Sequence, residues 1–417
     1  MAHITIRNIG PIKEVDIDLN KVNVFMGAQS SGKSTIAKII CHCQWVEKKC
    51  FPTVGLIPNI TDFYNRMIEF YRLDGYFNVD SSIIYQGDYV TIKYNHKDQS
   101  GSIEKNTKTN YQFPIITYIP SERNIVSAIP NLKKYNETND AILYFMYDWF
   151  SARENIKEMS LEKVIQNDIK YTYSNDKDYI VDNGKKILVL NASSGIQSLT
   201  PLMLVLKNNL EMVYKKDRPL SYEQMIVKDG ALRNLQAFSA GASSLNYDDF
   251  ASQMKSLSIE TPANLSNIAE QYEKYKEQIQ TTFNYHLSKI FLEEPEQNLF
   301  PETQIKLVYW LGELLKNGQR NHQLTLTTHS PYILFSLNNC MMGGLVENKI
   351  PKGKRNEFES SASWIDPKKV SIYEIVDGKL RCIQDEDGII EDNYLNQAYK
   401  ANSAEYLSLL NYYDDEE

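Results

Sequence analysis

The chain has 417 residues, of which 42% are hydrophobic and 24% are charged. These values are ordinary for a globular protein, and the length leaves room for about two or three domains. The formal net charge is −8, from 45 basic and 53 acidic residues. This excludes a surface uniformly coated with positive charge, although a local basic groove stays possible.

The cysteines and the apolar segments indicate in which cellular compartment the protein is expected. Five cysteines show no disulfide pattern, so we expect free thiols in a reducing environment. The N-terminus lacks a signal-peptide apolar region, and no apolar run reaches the ~18 residues that a membrane span needs. We therefore expect a soluble, cytoplasmic protein. Cys41-His42-Cys43 contains metal-ligating residue types, but residues two apart on a helix point to different sides. Buried thiols are favoured there over a metal site.

The first 26 residues alternate between apolar and polar positions. They predict strands at 3–9, 14–19 and 22–25, joined by short turns as an antiparallel meander. A complete phosphate-binding loop of the G-x-x-x-x-G-K-[ST] type follows, with the sequence Gly27-Ala28-Gln29-Ser30-Ser31-Gly32-Lys33-Ser34. A helix is predicted from Thr35 onward. A strand, this loop and a helix form the setting that the motif requires.

The residue types of the loop suit a nucleoside triphosphate. The glycines Gly27 and Gly32 let backbone N–H groups point at phosphate oxygens, and the helix directs its positive dipole end at the same anion. Lys33 supplies a charge for the outer phosphates, and Ser34 supplies a hydroxyl for Mg²⁺. We predict that residues 27–35 bind ATP with Mg²⁺.

The rest of the chain mixes predicted helices and strands. Helices are predicted around 63–71, over 125–170, 198–220 and 262–289, and at the C-terminal end, with strands at 89–94 and 115–119. Asn183-Gly184 and Asp377-Gly378 predict hairpin turns, and a polar loop is predicted after Phe335. We divide the chain into an ATPase lobe (1–124), a helical lobe (125–289), a second part of the ATPase lobe (290–340) and a C-terminal hairpin and helix (341–417).

A predicted buried strand ends in carboxylates at Glu293 and Glu294. Two adjacent ionised carboxylates repel each other, so a nearby cation is the natural reason for their placement. One of them would hold Mg²⁺, and the other would polarise the attacking water. A second predicted strand, from Leu326, ends at His329. This histidine would reach the γ-phosphate and the water.

Small polar residues precede the helix predicted from residue 198. Ser193, Ser194 and Gly195 lie between a strand and this helix, where hydroxyls and backbone N–H groups form an anion-binding site. An ordinary helix cap would have the same composition, so this motif is weak when taken alone.

Taken in order, these motifs are similar to those of ATP-binding-cassette (ABC) ATPase heads of the SMC/RecF class. More narrowly, the chain resembles stand-alone ATPases related to the overcoming-lysogenization-defect (OLD) family and to the Septu and PARIS anti-phage ATPases, with AAA_15- or AAA_21-like domains. The resemblance covers much of 1–40, 115–124, 188–206, 290–304 and 324–334. It implies an α/β fold, namely an ABC-type P-loop NTPase head with an N-terminal antiparallel β meander, a helical lobe with an insertion and a small C-terminal α+β extension.

The resemblance also implies roles for single residues. Glu293 stands where the family has its Mg²⁺-linked acid, although Asp is usual there in SMC proteins. Glu294 stands at the catalytic base and His329 at the switch histidine. Residues 296–299 fall in the loop that couples two sites. No glutamine fits the family's Q-loop, and we expect Arg123, in the equivalent region, to lie near phosphate.

The resemblance implies that Ser193, Ser194 and Gly195 form the signature, which contacts ATP bound to another subunit. We therefore expect an ATPase that forms a homodimer or higher homo-oligomer around ATP. The segment after His329 shows no Toprim-like nuclease constellation, and Asp385-Glu386-Asp387 is typical of a turn. A separate effector, a nuclease or a toxin, is therefore expected, in bacterial anti-phage defence. The alternatives are a RecF-like DNA-repair ATPase that binds DNA directly and, less favoured, a membrane-transporter subunit.

Overall fold

A computed structural model describes residues 2–51, 58–107, 111–129, 140–165, 168–215, 285–316 and 320–413. Their strands are β1 (His3–Ile9), β2 (Ile12–Asp18), β3 (Val22–Gly27), β4 (Phe77–Gln86), β5 (Val90–Asn95), β6 (Ser100–Lys105), β7 (Pro114–Ile119), β8 (Glu158–Ser160), β9 (Ile169–Ser174), β10 (Lys177–Asp182), β11 (Lys185–Leu188), β12 (Leu287–Glu293), β13 (Gln323–Thr328), β14 (Val370–Val376) and β15 (Lys379–Cys382). Their α-helices are α1 (Lys33–Cys50), α2 (Ile60–Glu69), α3 (Ile125–Ala128), α4 (Ala141–Asn155), α5 (Ser194–Leu210), α6 (Pro301–Lys316), α7 (Pro331–Val346) and α8 (Tyr394–Leu410).

Eleven of these strands form one mixed sheet, in the order β6-β5-β4-β1-β2-β15-β14-β3-β13-β12-β7. The strands from β14 to β7 in this order are parallel, and those from β6 to β2 are antiparallel. A separate antiparallel sheet has the order β11-β10-β9-β8. The predicted α/β class, with an antiparallel N-terminal part and a C-terminal hairpin and helix, is confirmed. The lobe predicted to be helical contains, in its described part, the separate antiparallel sheet as well as helices.

The central strand β3 is buried at every position, as expected for a parallel strand that is covered on both faces. Its residues alternate between two cores. Val24 and Met26 pack in a core with α4 to α7, whereas Phe25 packs in a core with α1 and the antiparallel strands. The parallel pairing puts the ends of β3, β13 and β12 at one edge of the sheet, because Thr328 pairs with Met26 and Glu293 pairs with Thr327.

The structure differs from the predicted meander at β3. β1 and β2 pair antiparallel as expected, but β14 and β15 lie between β2 and β3. An apolar strand that is buried on both faces is stable in the middle of a sheet, and the alternation pattern specifies a strand without specifying its neighbours. The hairpins at Asn183-Gly184 and Asp377-Gly378 are confirmed by the pairing of β10 with β11 and of β14 with β15.

Three predicted helices have different limits. In the described residues of 125–170, the predicted helix is replaced by α3 and α4, followed by β8 and the start of β9. The helix predicted from 198 begins at Ser194 and ends at Leu210. The helix predicted over 262–289 is wrong at its end, because residues 287–289 begin β12. Residues 216–220 and 262–284 lie outside the described residues.

The loop predicted after Phe335 is also wrong, because α7 continues to Val346. Glycines suggested a turn here, but they serve close packing. A Cβ on Gly343 would lie 2.1 Å from the Trp364 ring, and one on Gly344 would lie 2.1 Å from the Ile365 carbonyl oxygen. Only glycine lets α7 approach the segment 364–365 this closely.

The turn expected at Asp385-Glu386-Asp387 is present, because the Gly388 N–H donates to the Asp385 carbonyl and closes it.

Candidate nucleotide-binding site

The loop between β3 and α1 has the backbone of an anion-binding turn. Gly27 and Gly32 have φ values of +150° and +108°, and Ser30 also has a positive φ of +61°. A Cβ on Gly32 would lie 2.4 Å from Ile12 Cδ1, so glycine is required there. α1 begins at Lys33, directly after this glycine. The N-terminus of a long helix therefore faces the loop, as phosphate binding requires.

Lys33 is held inside the loop. Its side-chain amine donates to the carbonyl oxygens of Gly27 and Ala28, at 2.9 Å each, and the residue is only 7% exposed. Burial lowers the pKa of Lys33, while the carboxylates of Glu294 and Glu296 act to raise it. The ammonium group is therefore kept at the centre of the loop.

A cleft of about 760 Å³ opens over this loop, within the size range of small-molecule sites. Its lining residues are Pro11, Gly27, Ala28, Gln29, Ser30, Ser31, Gly32, Lys33, Ser34, Thr35, Tyr76, Glu294, His329, Tyr394 and Leu395. The structure thus brings the loop together with two residues predicted from distant parts of the sequence, Glu294 and His329.

The two adjacent carboxylates point to different environments. Glu293 ends β12 and is 4% exposed, and its Oε1 has no hydrogen-bond partner in the described part of the chain. Burial raises the pKa of Tyr118 far above its usual value, and the nearby Glu293 carboxylate raises it further. Glu294 has a left-handed backbone, with φ +42°, and lines the cleft. One carboxylate is buried behind the cleft and the other is presented to it.

These features fit a magnesium nucleotide. A buried polar atom without a partner calls for an explanation, and Glu293 Oε1 and the hydroxyl of Ser31, in the phosphate loop, are among those in the described part of the chain. A hydroxyl from Ser34 and a carboxylate from Glu293 are the hard oxygen ligands that Mg²⁺ prefers. The donor set and the loop therefore suit the ion and the phosphates that the sequence predicted.

His329 follows the end of β13 and is about half exposed. Its Nδ1 lies 3.7 Å from Glu294 Oε1 and 3.5 Å from Glu296 Oε1. A third carboxylate, Glu296, which the sequence analysis placed only in the coupling loop 296–299, contacts the backbone of His329. Glu296 Oε1 accepts hydrogen bonds from the Thr328 hydroxyl and the His329 N–H, at 2.8 Å each. No spacing rule distinguishes Glu296 from an ordinary loop residue.

Arg123 does not lie at the phosphates, so that expectation is wrong. Its side chain is fully buried, and it donates to the carbonyls of Glu293 and Glu294 at 2.9 Å and of Pro295 at 3.3 Å. Burial lowers the pKa of Arg123 to about 10, while Glu296, Glu294 and Glu293 act to raise it. Arg123 therefore holds the backbone that carries the two acids. The sequence analysis placed Arg123 near the site, but its partners are backbone carbonyls and not phosphates.

The predicted signature lies away from this cleft. Ser193 occupies the N-cap position of α5 without a side-chain capping hydrogen bond, and Ser193 and Ser194 are exposed. Neither they nor Gly195 are among the residues that line the cleft in the described chain. A Cβ on Gly195 would lie 2.9 Å from the Asn298 carbonyl oxygen, so the signature packs beside the loop that follows Glu296. Within one chain, these residues and Lys33 are not brought to the same cleft.

The cleft also contains aromatic residues that the sequence reasoning missed. Tyr76 lines it from the segment before β4, and Tyr394 and Leu395 line it from the start of α8. The N–H of Tyr394 donates to Glu374 Oε1 at 2.7 Å, and Arg381 pairs with the same carboxylate. No local motif marks these positions, because only the sheet order brings the C-terminal segment to the phosphate loop.

The Cys41-His42-Cys43 segment is structural. Burial raises the pKa of Cys41 to about 12 and lowers that of His42 to about 3, and His42 Nε2 donates to the Phe63 carbonyl at 2.9 Å. Over the described ranges, no group of three or more His, Cys, Asp or Glu side chains is placed to hold a metal ion. No described helix is long and apolar enough to cross a membrane.

One family model matches a segment of the chain that contributes residues to this site. Residues 265–334 match the AAA_15 family model, described as AAA ATPase domain, and this segment contains Glu293, Glu294 and His329. No curated protein sequence matches the chain.

Three solved structures that resemble this chain at low identity are an SMC head domain, RecF and an ABC transporter cassette. An SMC head domain from Thermotoga maritima has 10% identity and a TM-score of 0.39, with 92% of this chain and 98% of that chain covered. The recombination mediator RecF has 10% identity and a TM-score of 0.33, with 91% and 96% covered. A bacterial ABC transporter cassette in a dimeric structure has 10% identity and a TM-score of 0.30, also with 91% and 96% covered.

Proposed function

We propose that this protein is an ATPase that binds ATP with Mg²⁺, forms a dimer around it and separates after hydrolysis. One observation supports the catalytic part above all. A single cleft contains the phosphate loop, Glu294 and His329, although these come from segments about 260 and 300 residues apart in the sequence.

The side chains divide the work as follows. Lys33 and the N–H groups of residues 28–34 bind the phosphates of ATP, and Ser34 and Glu293 would hold Mg²⁺, which would neutralise phosphate charge. Glu294 accepts a proton from the attacking water. His329, positioned by Glu296, orients that water and contacts the γ-phosphate. Arg123 keeps the backbone of Glu293 and Glu294 in place.

The proposed dimer is supported by the absence of the predicted signature residues from the lining of the cleft. Ser193 and Ser194 are exposed at the N-terminus of a 17-residue helix, the kind of site that binds anions, and they do not line the cleft of their own chain. In the proposed dimer, Ser193, Ser194 and Gly195 of one protomer close over the ATP bound to Lys33 of its partner.

Replacing Lys33 by alanine tests the binding step. We expect Lys33→Ala to lose ATP binding, because the ammonium group at the centre of the loop is removed. The measurement is a titration with a fluorescent ATP analogue, and Lys38→Ala, on the same helix but outside the cleft, is the matched control. Wild-type affinity in Lys33→Ala would show that the loop assignment is wrong.

Replacing Glu294 by glutamine tests the chemical step. We expect Glu294→Gln to bind ATP normally and to hydrolyse it at least ~10²-fold more slowly, because a general base contributes roughly that much. Size-exclusion chromatography with ATP should show this variant accumulating as a dimer. Unchanged turnover would remove Glu294 from the catalytic role.

We further propose that the dimerisation state controls a separate effector, a nuclease or a toxin, in bacterial anti-phage defence. The support is the resemblance to OLD-like, Septu and PARIS ATPases stated above. Phage plating on cells that express the chain with its neighbouring reading frame tests this, with Lys33→Ala as the control. Equal plating on wild-type and Lys33→Ala cells would contradict the defence role.

A RecF-like protein that binds DNA directly is the rival function. The net charge of −8 weighs against it. A gel shift with duplex DNA at two salt concentrations, with and without ATP, separates the two functions, because contacts to phosphates weaken steeply with salt. Tight, ATP-dependent binding by the protein alone would favour the rival.

A further inference from the structure

A second cavity lies between the parallel strands and the helices α6 and α7, and it has a volume of about 160 Å³. Its walls are apolar and include Leu307 and Leu311 of α6, Leu326 of β13, Leu337 of α7 and the ring of Trp364. Protein interiors hold few voids larger than a water molecule. An engineered apolar cavity of ~150 Å³ takes up benzene, so this space suits an apolar body of about six carbon atoms.

Three lysines are among the residues that line this cavity. Lys21 comes from the turn before β3, Lys316 from the last turn of α6, and Lys369 from the segment before β14. In the described part of the chain, none of them makes an ion pair with a carboxylate within 4.0 Å. One carboxylate, Asp366, also lines the cavity, and its Oδ1 accepts from the Lys368 backbone N–H.

The charges of these lysines act on one another, although Glu347 also acts favourably on Lys316. Lys21 is half-buried, and its pKa is lowered by burial and by the charges of Lys369 and Lys316. Three cations gathered from separate elements around an apolar space are unexpected in a protein with a net charge of −8. A bound anion would relieve this repulsion.

We propose that this cavity is a ligand site for a small amphipathic anion, with an apolar body of about six carbon atoms in the cavity and one carboxylate or phosphate group at the three lysines. The apolar walls supply affinity through burial, and the lysines supply selectivity for the charged head. The site is separate from the nucleotide cleft, which has none of these residues in its lining.

Calorimetric titration of the full chain without nucleotide tests the proposal. We expect saturable binding of hexanoate or hexyl phosphate, and the stronger of the two identifies the head group. Hexanol, which lacks the charge, and acetate, which lacks the apolar body, should each bind at least ~10-fold more weakly. If hexanol binds as tightly as the hexyl anions, the lysines do not recognise a charged head group. If neither hexyl anion binds, the proposal is wrong. Because ATP is absent, neither result bears on the ATPase proposal.

Variants locate the binding. Lys21→Gln and Lys369→Gln should each weaken the better ligand about tenfold, because a hydrogen bond to a charged group is lost. Lys368→Gln is the matched control, since Lys368 is adjacent in sequence and absent from the cavity lining. Leu311→Phe should fill the cavity and abolish binding while the circular dichroism spectrum is retained. If Lys368→Gln weakens binding as much as Lys369→Gln does, surface charge explains the effect and the proposal fails.

Discussion

Glu296, in the loop after β12, is hydrogen-bonded to the end of β13 and to His329 through a single carboxylate oxygen. Glu296 Oε1 accepts from the Thr328 hydroxyl and from the His329 N–H, and the side chain is 7% exposed. Charge-assisted hydrogen bonds of this kind are about twice as strong as neutral ones. The position of His329 relative to Glu294 therefore depends on a residue that does not line the cleft itself.

We expect Glu296→Ala to destabilise the fold by about 2–4 kcal/mol, because two buried donors lose their acceptor. Turnover should fall further than ATP affinity, since His329 loses its anchor while the phosphate loop is untouched. Glu296→Gln keeps an oxygen acceptor and should cost less, about 1–2 kcal/mol. Urea unfolding and steady-state ATPase assays measure the two effects.

The control for this pair is Glu302→Ala, at an exposed glutamate that pairs with Lys306 within one helix. Such pairs contribute little, so its stability should stay within about 0.5 kcal/mol of wild type. If Glu296→Ala behaves like Glu302→Ala in both assays, the two hydrogen bonds do not position His329.

At the scale of elements, the sequence predicted what depends on local chemistry. The phosphate loop, the strand ending at Glu293 and the strand ending at His329 were each visible, because glycines, carboxylates and apolar runs mark them locally. The partner of Arg123 and the presence of Tyr394 in the cleft were not. Both depend on which strands are neighbours, and β14 and β15 take places beside β3 and β2 that alternation alone does not specify.

The helix α8 combines two unusual properties. None of its residues is buried, yet its first two residues, Tyr394 and Leu395, line the nucleotide cleft. Its start is fixed by the bond from the Tyr394 N–H to Glu374. The helix α8 therefore contributes little to the hydrophobic core, whereas its first two residues form part of the cleft.

We expect a truncation that removes residues 394–417 to leave stability almost unchanged and to weaken ATP binding several-fold, because an aromatic face is lost from the cleft. A truncation from Ala401 keeps both cleft residues and is the matched control. Thermal unfolding and ATP titration are the measurements. If both truncations bind ATP equally well, Tyr394 and Leu395 do not contact the nucleotide.

At the scale of the whole molecule, the phosphate loop and the predicted signature do not line the same cleft, and the proposed dimer would bring them together. The cleft with Lys33 lies at the edge formed by β3, β13 and β12, and the signature lies at the exposed start of α5, beside Asn298. A closed dimer related by a twofold axis would join each half to its complement and produce two equal sites. The loop 296–299 connects Glu296, at one half, to the contact with Gly195, at the other.

Mixing two inactive variants tests this arrangement directly. Lys33→Ala damages the phosphate-loop half, and Ser194→Arg damages the signature half at an exposed position that can accept a large side chain. Each variant alone should lose hydrolysis. In an equal mixture, half of the dimers are mixed, and each mixed dimer has one intact site. Activity should therefore return to about one quarter of the wild-type rate.

The matched control mixes Lys33→Ala with Glu293→Ala. Both changes fall in the same half of the site, so every site in a mixed dimer carries one of them and no activity should return. Recovery in the first mixture and not in the second requires that residues of two chains share one ATP. If the two mixtures have the same ATPase activity, each cleft works without Ser194 of the partner. Hydrolysis would then not require the proposed dimer.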